Sequence, residues 1–261
     1  MSFLVNPYSY GGCDADAVAF LSAAGITDAN ITSAICTLVS SMKANGTWAK
    51  MNAIYPMVGG TATTHKFNLK NPADTNAAFR LNFVGGWTHS ANGALPNGTN
   101  AYANTFLSPS VNLSLNSHSF GIYSRTNNIT GSQIYGCTDA GFVNFIQNNL
   151  TAANLYSGGI STGFISYTAA PTTSLIMVTR TSNTLFKGFR ANVLLGTNTN
   201  SISALPNVSV YLGARSNNGT AVGFSLHQLA FAFLGGGLND TEAAALYTAV
   251  QAFNTTLSRQ V

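Results

Sequence analysis

The stretch from Asn207 to Leu257 constrains the fold more than any other part of the sequence. Its first half alternates apolar side chains at Val208, Val210 and Leu212 with polar or small ones, which is the period of a β-strand. A turn-rich segment and a second alternating run, Ser225 to Leu234, follow directly. Alanines fill much of the second run's other face, so the strand pair is expected to be packed on both sides in a β-sandwich.

A helix is predicted to follow this strand pair. Three glycines end the second strand, and Asn239 then stands three residues before Glu242, the spacing of a reciprocal capping pair. Apolar residues recur after it at helical spacing and form one stripe: Leu246, Val250, Phe253 and Leu257. We therefore expect a closing helix that packs on a sheet.

The first 60 residues are the other place where helical spacing prevails over alternation. Asp14 can cap a short helix that ends near Ala24, and Thr27 or Asp28 can open a second one that stops at Asn45. The second helix carries an apolar stripe of Ile31, Ile35, Leu38 and Met42, and Trp48, Met51, Ile54 and Tyr55 continue the apolar surface. Residues 1–60 are predicted to be a helical anchor or cap, and residues 61–261 a single sandwich.

The pattern changes to period two after residue 60. Alternating runs occur around Phe67 and Leu69, from Phe79 to Phe83, at Phe120 and Ile122, and over 141–145, 163–167, 175–181 and 185–189. Regularly spaced short strands are typical of a sandwich. The segment 85–110, rich in Gly, Asn and Pro, is too long for a hairpin loop and is predicted to cross one edge of the sandwich.

Several segments also resemble a known family. They are VNPYSYG, WAKMNAIYPMVGGTATTHKFNLKNPADTNAAFRL, GGWTHSANGALPNGTNAYANT, SFGIYSRTN and the ending LNDTEAAALY. These resemble bacteriophage virion structural proteins with a concanavalin A-like (laminin-G-like) jelly-roll domain, as found in crAss-like and related phages of Bacteroidota. The resemblance implies a mainly β fold with a short helical N-terminal segment and a C-terminal helix. It also implies a head decoration, head fibre or tail-associated protein that is made in the host cytoplasm, resides in the virion and contacts other virion proteins.

Composition limits the functions that the chain can have. Only 7% of residues are charged, while Asn, Thr, Ser and Gly supply the polar positions, so the surface is neutral and suits a protein held in an assembly. The net charge of +4 is spread over scattered basic residues, which excludes a nucleic-acid-binding stripe. No apolar run is long enough for a membrane helix. The odd count of three cysteines predicts reduced core residues without a disulfide.

The acidic residues argue against an enzyme. Related jelly rolls include glycoside hydrolases, which need two carboxylates flanking one bond. This chain has seven acidic residues, most of them at predicted helix starts or turns, and no predicted strand carries two. A hydrolase therefore remains only the weaker alternative. No cofactor is expected, and calcium has one weak loop candidate in Asp139.

Binding is the remaining function. Trp87, His89, Asn97 and Tyr102 combine aromatic rings, which stack on sugars, with groups that bond sugar hydroxyls, so they are the glycan-binding candidates of a receptor- or glycan-binding adhesin. The competing interpretation is that Trp87 and Tyr102 plug the open end of the core. An apolar N-terminal arm is the predicted particle or homo-oligomer contact, through Phe3, Leu4, Val5, Pro7 and Tyr8.

Overall fold

The computed structural model describes residues 12–128, 133–147, 153–159, 163–167 and 173–261. The arm from Phe3 to Tyr8 lies outside the described residues, so its contact role stays a prediction.

Helices form at both ends of the chain and at two short internal sites. Their bounds are α1 Ala15–Ala23, α2 Ala29–Ala44, α3 Ala62–His65, α4 Pro109–Asn112 and α5 Asp240–Thr256. Asp14 caps α1, and Asp28 caps α2 by accepting from the Ile31 N–H. Asn239 and Glu242 form a complete capping box at the start of α5. The two N-terminal helices and the closing helix therefore start where their capping residues predicted.

The strands are numbered in chain order. They are β1 Met51–Tyr55, β2 Asn82–Val84, β3 Trp87–Ser90, β4 Gly93–Pro96, β5 Tyr102–Asn104, β6 His118–Ser124, β7 Gln133–Asp139, β8 Phe142–Gln147, β9 Ala153–Gly159, β10 Phe164–Tyr167, β11 Ser174–Ser182, β12 Leu185–Arg190, β13 Val193–Asn198, β14 Tyr211–Leu212, β15 Arg215–Asn217, β16 Thr220–Val222 and β17 Leu229–Gly235.

These strands form two sheets. In the first, here called the helix-backed sheet, the order is β13-β12-β11-β6-β17-β4-β3, with β1 beside β17. In the second, the front sheet, the order is β10-β9-β8-β7-β14-β5-β2, and the β15–β16 hairpin joins it through β7. Neighbours pair antiparallel except β15 with β7. Strand β17 thus lies inside its sheet, as the two-sided packing of its sequence predicted.

Two hydrophobic cores hold the layers together. Between the sheets lie Tyr55, Phe120, Ile122, Ile176 and Leu212, together with their neighbours. The outer face of the helix-backed sheet forms the second core with α1, α2 and α5 through Phe20, Leu38, Met177, Phe233 and Leu246. Leu246, Val250 and Phe253 are all buried, which confirms the closing helix. The prediction of a mainly β sandwich with N-terminal helices and a C-terminal helix is confirmed.

The glycines after β17 allow close backbone packing. A Cβ on Gly237 would fall on the carbonyl oxygen of Arg180, and one on Gly235 would fall on that of Lys50. Only residues without a side chain fit between β17 and α5 there.

The prediction for segment 85–110 is incomplete, because it did not include strands. Strands β3, β4 and β5 form within it, and β3 pairs with β4 from Trp87↔Pro96 to Ser90↔Gly93. The strands are short, and β5 obtains its partners from β2 and from the distant β14, so local pattern does not reveal them.

The strand predicted around Phe67 and Leu69 is wrong. Residues 62–65 form α3, and Asn68 and Asn71 make only an isolated bridge. Phe79 adopts a left-handed backbone after a 3-10 turn, so only Asn82–Val84 of the next run is a strand. Likewise only Tyr211–Leu212 of the run from Val208 is paired.

The cysteine prediction is wrong for two of the three residues. Cys13 and Cys36 form a disulfide that ties the residues before α1 to the middle of α2. Cys137 is free and buried, as expected. An odd number of cysteines is compatible with one disulfide and one free cysteine.

The N-terminal helices pack back onto the sandwich. Strand β1, which precedes the predicted boundary at residue 60, pairs with β17 from Met51↔Gly235 to Tyr55↔Ala232. The division into a separate anchor and a sandwich stays a prediction. In the described residues, no helix combines the length and the apolar character that crossing a bilayer requires.

Candidate functional site

The outer face of the front sheet carries the best-formed set of aromatic and amide side chains. Ala103 and Leu212 belong to the core between the sheets. Because side chains alternate along a strand, Tyr102, Asn104 and Tyr211 lie on the opposite face. The helices α1, α2 and α5 pack on the other sheet.

Two tyrosines are stacked on this face. The rings of Tyr102 and Tyr211 have centroids 4.6 Å apart and an interplanar angle of 24°. The Tyr211 hydroxyl donates to the carbonyl oxygen of Gly219 at 2.9 Å, and its side chain is buried. Tyr102 is half-buried, and its hydroxyl has no partner within the described part of the chain. Stacking on Tyr211 thus fixes the position of Tyr102. The exposed part of the Tyr102 ring and its hydroxyl remain available to contact a ligand.

Two asparagines extend the row. Asn82 is exposed and pairs in register with Asn104, which in turn pairs with Tyr211. The Asn104 side-chain oxygen accepts from the Phe106 N–H at 2.8 Å, which orients that amide. We call Tyr102, Tyr211, Asn82 and Asn104 the tyrosine platform. A flat ring beside amide groups can stack on a sugar and bond its hydroxyls.

Trp87 lies at the edge between the two sheets. Its indole N–H points to the carbonyl oxygens of Val84 at 3.1 Å and Tyr102 at 3.3 Å, and its ring packs edge-on against Phe83. A Cβ on Gly213 would touch the indole at 2.8 Å. The indole therefore contacts both sheets, as expected if Trp87 fills the end of the core. Tyr102, in contrast, lies outside the core.

Asn97 is engaged in its own turn. Its side-chain oxygen accepts from the N–H groups of Thr99, Asn100 and Ala101 at 3.0–3.2 Å. Its amide nitrogen donates to the Asn100 side chain at 2.8 Å. These bonds shape the β4–β5 connection and leave little of the amide for a ligand.

His89 forms a pair with His65. The Gly60 N–H donates to Nε2 of His65 at 3.2 Å, so that nitrogen carries no proton. Nδ1 of His65 must then donate to Nδ1 of His89, 2.9 Å away. Burial lowers the pKa of His65 to about 3 and also lowers the pKa of His89. Both rings are therefore neutral near pH 7 and serve as hydrogen-bonding structural residues.

The carboxylates are spread over the molecule. Asp14 and Asp16 share Lys43, Asp74 binds Lys66 and Arg80, Asp240 binds Lys187, and Glu242 binds Lys50. Hydrogen bonds from Lys43 and from Lys66 lower the pKa of Asp14 and of Asp74, respectively. Asp28 caps α2. Each of these carboxylates caps a helix or forms a surface ion pair.

Asp139 does not belong to a metal-ligand cluster among the described residues, in which no three His, Cys, Asp or Glu side chains converge. Its carboxylate accepts from the Asn207 N–H at 3.2 Å. That bond fixes the loop before β14.

A cleft of about 620 Å³ opens elsewhere, between the start of α2 and the Gly59–Gly60 turn. Ile26, Val58 and Leu257 form its apolar side, and Asp28 and Asn30 its polar side. None of the described residues that line it carries an aromatic ring. It therefore lacks the stacking surface that the tyrosine platform offers.

Comparison with known proteins gives the fold. No protein-family model matches the chain, and no curated protein matches it. Among solved structures, one of botulinum neurotoxin type C, whose cell entry depends on two ganglioside molecules, aligns with a TM-score of 0.52 at 8% identity. It covers 78% of this chain and 52% of the toxin chain. The binding domain of botulinum neurotoxin DC, solved with rat synaptotagmin II, aligns with a TM-score of 0.50 at 9% identity over the same shares.

A Trypanosoma rangeli sialidase mutant with trans-sialidase activity also aligns, with a TM-score of 0.50 at 12% identity, over 84% of this chain and 39% of the sialidase. The chain thus spans about half of each neurotoxin chain and 39% of the sialidase. Together the alignments show the fold alone, a β-sandwich.

The sequence identified part of the tyrosine platform. Tyr102 was among the predicted binding residues, but Tyr211, Asn82 and Asn104 were not. A signal for Tyr211 existed, since alternation that directs Val210 and Leu212 inward directs Tyr211 outward. The cross-strand register that joins Asn82 and Asn104 to it is non-local and has no local sequence signal.

Proposed function

We propose that this protein is a non-catalytic glycan-binding β-sandwich whose tyrosine platform contacts the sugar. The observation that carries the proposal is the half-exposed Tyr102, held by its stack on Tyr211 beside the amides of Asn82 and Asn104. When a sugar stacks on a ring whose position is already fixed, little conformational entropy is lost. The neighbouring amides can form directional hydrogen bonds to the sugar hydroxyls. The ligand class is a neutral sugar, since the four platform residues include neither an acidic side chain to bind a cation nor a basic one to bind an anion.

Two further observations support this proposal. The aligned neurotoxin type C interacts with gangliosides, so a sandwich of this fold can present a glycan-binding surface. In the described residues the carboxylates cap helices, bind lysine or arginine or, in Asp139, accept from the Asn207 N–H, and none belongs to the platform. Hydrolysis of a glycosidic bond needs two carboxyl groups about 5 to 10 Å apart on either side of it. Binding without turnover is the function that this arrangement favours.

We further propose that the module belongs to a bacteriophage particle, as a structural component or as a receptor-binding adhesin. The full-length sequence resemblance and the charge content of 7% support this placement. Locating the chain in a density map of purified particles tests it. If the chain is missing from the particles, the virion placement is wrong while the glycan-binding proposal stands.

A glycan array followed by calorimetry tests the platform. We expect Tyr102→Ala to weaken binding of the best array ligand at least about tenfold, since loss of an aromatic stack costs roughly 0.5–1.5 kcal/mol beyond area burial. Tyr102→Phe, which keeps the ring, should lose less. Tyr247→Ala removes a partly buried tyrosine from α5 on the other side of the molecule and serves as the matched control. Equal affinity for Tyr102→Ala and the unmodified protein would reject the platform.

A further inference from the structure

Two strand edges lie side by side at one end of the sandwich. Strand β13 is the terminal strand of the helix-backed sheet, and β10 is the terminal strand of the front sheet. The Asn198 side-chain amide donates to the Phe164 carbonyl oxygen at 2.9 Å, so the two strands are joined there. Ile165 of β10 packs under Gly196 of β13, where a Cβ would meet it at 2.7 Å. This end, called the β13–β10 edge, is one continuous surface.

Exposed hydrophobic side chains concentrate at this edge. Val193 is 63% exposed, Leu194 49% and Phe164 37%. They are three of the six large hydrophobic side chains that are exposed in the described ranges. Their clustering on two neighbouring strands marks an interaction surface better than scattered exposure would.

The strands of the β13–β10 edge lack the residues that usually prevent a free strand from pairing with another chain. Soluble proteins guard such edges with charged residues or proline. Strand β13 reads VLLGTN and β10 reads FISY, with neither a charge nor a proline. At the opposite end of the helix-backed sheet, the Gly59–His65 segment covers β3, through the His65–His89 pair and the approach of Gly60 to Ala91. On β13, by contrast, Val193, Leu194 and Thr197 are exposed within the described part of the chain.

We propose that two copies of this chain pair antiparallel through β13, about a two-fold axis, and so extend the helix-backed sheet across the dimer. A strand edge in antiparallel pairing is complementary to itself, because each unpaired N–H and C=O meets its counterpart in the partner. A two-fold contact also places every charge near its own copy, and a strand without charges avoids that repulsion. Val193 and Leu194 then lose their exposure, and each Phe164 flanks the contact.

Sedimentation velocity of the full chain over a wide concentration range tests the dimer. We expect the unmodified protein to reach the dimer mass and the double variant Val193→Lys/Leu194→Lys to remain monomeric, because a two-fold contact brings four lysines together. Val111→Lys is the matched control, since Val111 is 72% exposed on α4, away from this edge. The control should dimerise like the unmodified protein, and all three should melt at similar temperatures.

Cross-linking tests the register directly. Val193→Cys, at an exposed position of β13 beside the two-fold axis that the double-lysine test assumes, should form a disulfide-linked dimer under mild oxidation. Thr248→Cys, exposed on α5, should not. Background from native cysteines is low because Cys13 and Cys36 are bonded to each other and Cys137 is buried.

Two results would overturn the proposal: a monomer at every concentration, or dimerisation of the double-lysine variant equal to that of Val111→Lys. Deletion of residues 2–11 separates this edge from the N-terminal arm. The deletion variant should still dimerise, and loss of the dimer in that variant alone would assign the contact to the arm.

Discussion

Asn144 and Asn68 are both buried asparagines, but their surroundings differ. The amide nitrogen and oxygen of Asn144 have no hydrogen-bond partner in the described structure, and Phe120, Tyr135 and Leu234 surround the side chain. Asn68 instead accepts from the Ile54 and Lys70 N–H groups and donates to two carbonyl oxygens, at 2.9–3.2 Å. The same side chain thus has opposite energetic consequences at the two positions.

We expect Asn144→Leu to leave stability unchanged or to raise it by about 1–3 kcal/mol, because burying an unpaired amide carries a desolvation cost of that size. Asn68→Leu should lower stability, since it leaves the Ile54 and Lys70 N–H groups unpaired. Urea unfolding of the two variants and the unmodified protein measures both effects. A large loss of stability in Asn144→Leu would mean that the amide has a partner, and the argument would fail.

The predictability of the candidate site from sequence also depends on the residue. The aromatic and amide composition of 87–102 made Tyr102 a glycan-binding candidate, and the structure places it on the outer face of the front sheet. That composition could not distinguish Asn97, whose amide is consumed by three N–H groups of its own turn, from an amide free to bind. Composition identifies which groups are present, whereas bonding within a turn decides which remain available.

At the scale of elements, local signals sufficed for the helices. The capping box of Asn239 and Glu242 and the stripe through Phe253 lie within one segment, and the structure reproduces both. Strand β5 is the opposite case. Two of its three residues, Ala103 and Asn104, pair with Leu212 and Tyr211, more than 100 positions later in the sequence, so nothing local marks them. The disulfide was missed for a similar reason, because folding of α1 against α2 is what brings Cys13 to Cys36.

The disulfide should contribute to the stability of these elements. It closes a sequence separation of 23 residues across α1 and into α2. Loops of that size are stabilised by roughly 3 kcal/mol through the lost entropy of the unfolded chain. We expect Cys13→Ser/Cys36→Ser to lower the free energy of unfolding by about 2–4 kcal/mol.

Reductant added to the unmodified protein should reproduce the loss and have no further effect on the double variant. Thermal unfolding with and without reductant measures this. Identical melting temperatures in all four samples would show that α1 is held by its packing alone.

Removal of α5 tests how the layers depend on one another. Leu246, Val250 and Phe253 are each at most 2% exposed and cover the helix-backed sheet. Burying side chains of this kind contributes about 1.5–3 kcal/mol each. Truncation before Asn239 should therefore abolish cooperative unfolding, as followed by calorimetry. An unchanged cooperative transition would show that the sandwich is stable without its closing helix.

At the scale of the whole molecule, the histidines make stability depend on pH. Burial lowers the pKa of His65 to about 3 and of His118 and His227 to about 4, and it lowers the pKa of His89. The unfolded chain has ordinary histidines with a pKa near 6.5. Between pH ~6.5 and ~4 the unfolded state therefore binds protons that the folded state does not, and acid favours unfolding.

We expect the free energy of unfolding to be constant between pH ~7 and ~8 and to fall below pH ~6.5, by up to about 1.4 kcal/mol per pH unit for each of the three fully buried rings. Below pH ~4, protonation of Asp14, Asp74 and Glu242, whose pKa values are lowered in the folded state, adds to the loss. Urea unfolding at pH 7.5, 6 and 5 measures the slope. His118→Gln should make it shallower, because one buried ring no longer titrates on unfolding. Equal urea midpoints at pH 7.5 and 5 would show that protons enter the folded core without cost.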